Sequence, residues 1–198
     1  MQDASPDLVA LVGSRIAHDL ASPLGAIANG VELLALTGQV AGPEFQLVAE
    51  SVANATARIK AFRIAFGAAS PGQHVKAGEI AAIYPPGNGL RRLAVDWTPP
   101  DDVPRGLAKL AILALMCLET ALPRGGRARV NTGGDSWAVT GSGARPALPA
   151  GLLAALDGRA PDDLAPAHVH FALLANAARA QGRRVHHAIG ADEITLAF

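Results

Sequence analysis

Two apolar stretches in steps of three and four, parted by a glycine-proline break, constrain this chain more than any other feature. In residues 44–69, Phe45, Val48, Val52, Ala55, Ile59, Phe62 and Phe66 keep the repeat over three heptads, with phenylalanine at three seam positions. In residues 7–37, Leu20, Leu24, Ile27, Val31 and Leu34 step the same way, and Val12 and Ile16 extend the stripe upstream. A helix of about thirty residues would be roughly 45 Å long. Gly38 and then Gly42-Pro43 supply the stop signals. Two long helices joined by a short loop make an antiparallel hairpin. One hairpin leaves much of both seams open to water. The spacing therefore predicts a homodimer in which two hairpins close a four-helix bundle.

Ser70-Pro71-Gly72 reads as a junction, which divides the chain into a hairpin, 1–70, and a second domain, 71–198. Beyond the junction the period changes. Residues 90–97 (LRRLAVDW) alternate like a strand that Pro99 and Pro100 end. Residues 106–122 read as a buried helix, stopped by Pro123 and Gly125-Gly126. Residues 128–131 and 136–140 read as short strands about a Gly133-Gly134 turn. Residues 151–156 and 167–181 read as helices, and 185–189 with 193–198 as a last hairpin. Gly141-Ser142-Gly143 reads as a turn. Mixed helices and strands in this order imply a small α+β or α/β layer, and an α+β chain as a whole.

Bulk composition removes several classes of function. Lys plus Arg equals Asp plus Glu, 17 of each, so the formal charge is zero. A nucleic-acid groove or membrane-surface patch needs excess positive charge, and neither partner is expected. One cysteine, Cys117, leaves no disulfide framework and no cysteine-rich zinc site. Cys117 inside an apolar helix reads as inert core. His168 and His170 would share a strand face or splay on a helix; no cysteine or carboxylate set completes a metal site around them. The longest apolar stretch, 110–118, is too short to span a bilayer. With no charged-then-apolar leader, a cytoplasmic location is expected.

The polar face of the first helix carries the chemistry. At about 100° per residue, Ile16, Leu20, Leu24, Ile27, Val31 and Leu34 cluster on one side. His18 falls opposite, among Ser14, Ser22, Gly25 and Asn29. Pro23 lies inside the helix, where its ring crowds the carbonyl of Asp19 and it cannot donate back; a kink is expected one turn after the histidine. Such a proline disfavours a helix by about 3 kcal/mol, and a broken local rule beside a polar residue marks a functional position. A neutral imidazole with one free nitrogen is a good nucleophile near neutral pH. Asp19 can orient the ring or manage its proton, and Ser22, one turn on, can bond a phosphoryl group or water. From the angle alone, His18 is equally an ordinary solvated histidine.

The run SRIAHDLASPLGAIANGVE, residues 14–32, resembles the phosphoacceptor box of histidine kinases, H-D/E-x-x-x-P-L-x-x-I, with His18, Asp19, Pro23, Leu24 and Ile27 in step. The rest of the chain is similar in layout to a kinase, which implies a dimerisation hairpin followed by an ATPase-like α/β sandwich. The ATP motifs of a kinase do not survive. Pro123-Arg124-Gly125-Gly126 matches the turn after the magnesium-binding helix, but Cys117 stands where the key asparagine would align. Gly141 stands in place of the aspartate that pairs with adenine, and no glycine-rich lid follows. A domain without these groups cannot hold Mg-ATP well.

A histidine box on a hairpin followed by a degenerate ATPase-like domain resembles the ChpT family of histidine phosphotransferases. That resemblance implies a bacterial phosphorelay intermediate with no intrinsic cofactor and no ATP. His18 would accept a phosphoryl group from the receiver domain of a hybrid histidine kinase (CckA type). It would pass the group to response regulators (CtrA and CpdR type), the receivers bringing Mg²⁺. Catalytic roles would fall to His18, Asp19 and Ser22. Receiver contacts would fall to Leu11, Arg15, Ser22, Arg58 and Arg63. The rival expectations are an active kinase fragment, a receiver-binding scaffold that accepts no phosphate, and a phosphatase in which Ser22 positions water.

Overall fold

The structure, a computed structural model, describes residues 8–37, 42–84, 93–133 and 136–198. Helix α1 (Leu8–Thr37) carries Pro23 inside it and continues on both sides of it. Helix α2 (Pro43–Ala65) starts with proline in its first turn, where the missing N–H has no intrahelical partner to lose. It ends four residues before the expected Ala69, on Phe66, whose N–H donates to the Phe62 carbonyl. The two helices pack along each other as the antiparallel hairpin expected from the seams.

The seam residues do not share one environment. Ala55 and Phe62 are buried, whereas Leu24, Val31, Phe45, Val52 and Ile59 are exposed. The hairpin's two ends differ as well. Ala61, Phe62, Ile64 and Ala65 join the main core. Leu33, Leu36, Phe45 and Leu47, toward the inter-helix loop, remain open.

After the junction come β1 (His74–Lys76), α3 (Ala77–Ile83), β2 (Leu93–Asp96), β3 (Asp102–Pro104) and α4 (Arg105–Ala121). They are followed by β4 (Gly126–Gly133), β5 (Ser136–Ser142), α5 (Ala150–Leu156), a 3₁₀ turn (Pro166–His168), α6 (Val169–Ala180), β6 (His186–Ile189) and β7 (Glu193–Ala197). Five strands form one sheet in the order β2-β4-β5-β7-β6, parallel only between β2 and β4. Strands β1 and β3 make a separate antiparallel pair, Val75 opposite Val103. This pair and α3 were not expected from the sequence. Of the strand expected at 90–97, residues 93–96 are β2 and 90–92 lie outside the described residues; so does Gly134 of the expected Gly-Gly turn.

Helix α4 organises the layer. Every side chain from Leu110 to Leu118 is buried, the mark of a helix covered all round. The sheet covers one side, α6 another and α2 a third. The sheet turns Ala128, Val130, Trp137, Val139, Ile194 and Leu196 inward in the alternation expected of a half-covered sheet. The expected turn at 141–143 is corrected: β5 runs through Gly141 to Ser142. Gly141 sits in the strand because α4 leans on it. A Cβ there would meet Leu122 Cδ1 at 2.9 Å, closer than real Cβ contacts come, and Leu118 Cδ1 at 3.1 Å, tighter than most. His168 and His170 are splayed between the 3₁₀ turn and α6, and no cluster of three or more metal-binding side chains occurs among the described residues. No helix among them is long and apolar enough to cross a membrane.

Two basic side chains of α4 tie the layer to the hairpin. Arg105 donates through Nε to the Ala68 carbonyl and through Nη2 to the Arg63 carbonyl, both at 2.8 Å. Lys109 Nζ donates to the Gly67 carbonyl at 2.8 Å. Cations at a helix C-terminus satisfy its orphan carbonyls and suit its dipole. Burial, and then the neighbouring Arg105, pull the Lys109 pKa below the ordinary lysine range.

Candidate active site

His18 projects from α1 with its side chain 82% exposed. It stands beside a covered carboxylate and a mostly covered arginine. Its Nδ1 lies 3.1 Å from Asp19 Oδ1, and the Asp19 side chain is only 9% exposed. A carboxylate can only accept, so this contact selects the tautomer with its proton on Nδ1 and a lone pair on Nε2. The other Asp19 oxygen is held by two arginines. Arg15 Nε donates to Oδ2 at 2.7 Å from one turn back on the same helix, and Arg58 Nη1 donates to it at 3.4 Å from α2. The carboxylate thus has a partner on each oxygen and is fixed from both helices of the hairpin.

These groups open onto a cleft of about 510 Å³ between the hairpin and α4. Ser22 and Pro23 line it from α1, Ser51, Asn54 and Arg58 from α2, and Met116, Glu119 and Thr120 from α4. The helical spacing that puts His18 and Ser22 one turn apart gives both access to the same space.

Of the five expected receiver-contact residues, Arg15, Ser22 and Arg58 line the cleft. Leu11 packs against the core cluster. Arg15 is mostly covered, its side chain 14% exposed. Ser22 and Arg58 stand in the cleft beside His18. Arg63 lies outside it, donating through Nη2 to Glu79 Oε2 of α3 at 2.5 Å.

Sequence reasoning missed the buried network behind Asp19. Beyond Asp19, Arg15 Nη1 donates to the Ala167 carbonyl and lies 3.4 Å from His170 Nδ1. His170 Nε2 is 3.3 Å from Thr120 Oγ1, which bonds the Met116 carbonyl at 3.4 Å. His170 is fully buried. Burial holds its pKa well below the ordinary histidine range; Arg15 and then His168 add to the effect, and the Met116 carbonyl opposes it. The Arg15–Asp19 spacing is an i,i+4 pair legible in sequence. Nothing local announces His170, which is 155 positions away. Cys117 is buried within α4, and that burial raises its thiol pKa well above the usual range, Arg15 opposing weakly.

Comparison with known proteins gives this arrangement a context. Residues 77–193 match the family model described as the histidine phosphotransferase C-terminal domain. The chain is 34% identical over 168 residues to the protein phosphotransferase ChpT of Brucella abortus (strain 2308), covering 82% of this chain and 80% of that protein. A solved structure of a bacterial phosphotransferase superposes with a TM-score of 0.77 at 29% identity, over 96% of this chain and 95% of that one.

Proposed function

The chain belongs to the histidine phosphotransferase family, and we propose that His18 is its phosphoacceptor, taking a phosphoryl group from a receiver aspartate and passing it to another. One observation carries the reading: an exposed imidazole whose Nδ1 is held by a covered carboxylate, leaving Nε2 toward solvent. In the forward step Nε2 attacks the phosphorus of the receiver's aspartyl phosphate. The new N–P bond forms as the acyl P–O bond breaks, and the receiver carboxylate is regenerated. The imidazolium charge that develops is stabilised by Asp19 across the Nδ1–H bond. The step reverses onto the next receiver. This chain's share is position, and the receiver supplies Mg²⁺.

The upstream donor is a receiver domain of a hybrid kinase and the downstream acceptors are response regulators, of the CckA, CtrA and CpdR types. Ser22 and Arg58, in the cleft beside His18, are the receiver contacts that the geometry favours. Two hairpins pair over the exposed stripe of Leu24, Val31, Phe45, Val52 and Ile59 to make a dimeric bundle; exposed apolar surface of this extent marks an interface. The layer does not turn over ATP. Two placements favour this: Cys117, aligned with a magnesium-binding asparagine, is shut inside α4, and the room for a side chain at Gly141 is taken by Leu118 and Leu122.

The test is labelled phosphotransfer. Incubated with a ³²P-charged receiver domain and Mg²⁺, the wild type acquires acid-labile label; His18→Ala acquires none, and ATP alone labels neither. Label from ATP alone would make this chain a kinase. A wild type that binds receivers but stays unlabelled would leave the scaffold reading.

A further inference from the structure

We propose that Arg15 is a positioning residue for phosphotransfer: through it, His170 and Thr120 of the ATPase-like layer fix the Asp19 carboxylate, and with it the His18 tautomer whose Nε2 is free to react. The inference rests on His18 being the phosphoacceptor.

The hydrogen bonds of this network have only one consistent direction. Arginine carries donors only. Arg15 therefore faces His170 Nδ1 as a donor, and that nitrogen must present a lone pair. A neutral imidazole with a lone pair on Nδ1 carries its proton on Nε2, which then donates to Thr120 Oγ1. The Thr120 hydroxyl, filled as an acceptor, gives its own hydrogen to the Met116 carbonyl. In the other direction, Arg15 Nε donates to Asp19 Oδ2, and Asp19 Oδ1 accepts from His18 Nδ1. Every bond is consistent with one placement of protons, from the α4 backbone to the reactive ring. Reversing any one of them would leave two donors or two acceptors face to face.

Arg15 is the branch point. Its Nε serves the hairpin, while its Nη1 serves the layer at both His170 and the Ala167 carbonyl. Asp19 also has Arg58, but at 3.4 Å and from an exposed side chain. Arg15, at 2.7 Å and mostly covered, is the stronger hold. A layer seated on α1 thereby keeps Asp19 aimed at His18, and a layer displaced from it releases Arg15. This gives the degenerate domain a part in the chemistry without a residue in contact with the phosphoryl group.

The experiment uses the full chain and reads the ring directly. Long-range ¹H–¹⁵N correlation of the imidazoles, with His18 assigned by its loss in His18→Ala, reports which nitrogen carries the proton. The wild type is expected to show protonated Nδ1 and unprotonated Nε2 at His18. Arg15→Gln shifts His18 toward the opposite tautomer. Its maximal transfer rate from a receiver charged with acetyl phosphate falls roughly 10- to 100-fold, at an unchanged half-saturating receiver concentration. Arg15→Lys does not rescue, because one ammonium cannot replace the two directions of the guanidinium fork. Thr120→Val moves both readouts the same way by a few-fold and carries the test if Arg15→Gln fails to fold. An unchanged tautomer and rate in a folded Arg15→Gln overturns the inference alone. So does a rise in half-saturation with the maximal rate kept, which would make Arg15 a receiver contact. Label on His18→Ala overturns the phosphoacceptor reading and takes the inference with it.

Discussion

Helix α2 and helix α4 are both rich in apolar side chains, and their fates in the fold are opposite. From Leu110 to Leu118, α4 has nothing left to bury. Along α2, Phe45, Val52 and Ile59 remain exposed although the seam that contains them is as regular as any in the chain. The difference lies in what surrounds each helix. The layer encloses α4 with a sheet, α6 and the end of α2, all from one chain. The hairpin offers α2 one neighbour along most of its length, and a two-helix unit cannot cover both flanks of a seam. The layer buries its central helix within one chain; the hairpin leaves much of its seam exposed. His18 sits where the exposed hairpin meets the enclosed layer, open to solvent on one side and linked through Asp19 and Arg15 to the layer on the other.

The contrast predicts that equivalent substitutions act on different equilibria. Leu115→Ala, at a fully buried site of α4, should lower unfolding free energy by about 2–5 kcal/mol at every protein concentration, as read by urea denaturation. The double change Val52→Ser and Ile59→Ser, at sites about half exposed, should alter the stability of the dilute protein by no more than about 0.5 kcal/mol. With the hairpins paired as proposed, it should weaken self-association at least about 100-fold, since four apolar side chains would leave the two-fold interface. Sedimentation velocity separates the two. Unchanged association would place the second hairpin elsewhere.

The same contrast explains what the sequence disclosed. A helix's period is written within a dozen residues, so α1, α2, α4 and α6 are legible, and the box around His18 is legible because its members share one helix. Strands β1 and β3 are three residues each and pair across 28 positions with Pro99 and Pro100 between; no local pattern marks them. The two glycines of Gly141-Ser142-Gly143 suggest a turn by sequence alone. Gly141 is a strand residue because Leu118 and Leu122 need its missing side chain. The sequence suggests Arg15 as a receiver contact but not its inward direction, which depends on Ala167 and His170 arriving from the far end of the chain.

That packing gives a smaller, sharper test of enclosure in the layer. Gly141→Ala pushes a methyl group into Leu118 and Leu122 and should cost about 1–3 kcal/mol, measured by thermal or urea unfolding. A neutral result would mean that α4 can shift away from the sheet, and that the layer is looser than its burial implies.

The junction between the two regions should respond to acid. His170 is buried and its folded pKa is depressed, so the unfolded chain binds a proton that the folded chain refuses. Stability is then full above the unfolded histidine value of about 6.5 and declines as pH falls below it, by at most about 1.4 kcal/mol per pH unit for this one group. His168, less buried, is shifted in the same direction by burial and then by Arg15. Urea midpoints at pH 7.5 and pH 5.5 measure the decline, and His170→Asn should flatten it. A slope that survives that change would have to come from other groups, and His170 would not be the neutral link between layer and hairpin.

The smallest effect expected is also the one most specific to the junction. Arg105 donates to two carbonyls just at and beyond the end of α2 while standing at the start of α4. Arg105→Met keeps much of the aliphatic stem and removes both donors. Partly exposed hydrogen bonds of this kind contribute about 0.5–1.5 kcal/mol each at most, and water can replace them, so global unfolding should shift by about 1 kcal/mol or less. The local consequence should be larger than the global one. Amide hydrogen exchange in the last turn of α2 and in residues 66–70 should accelerate, while exchange in the centre of α4 stays at its wild-type rate, because α4 is enclosed without Arg105 and the end of α2 is not. Equal acceleration in both places would mean that hairpin and layer open as one cooperative unit, and the division between an enclosed region and an exposed one would hold for burial but not for stability.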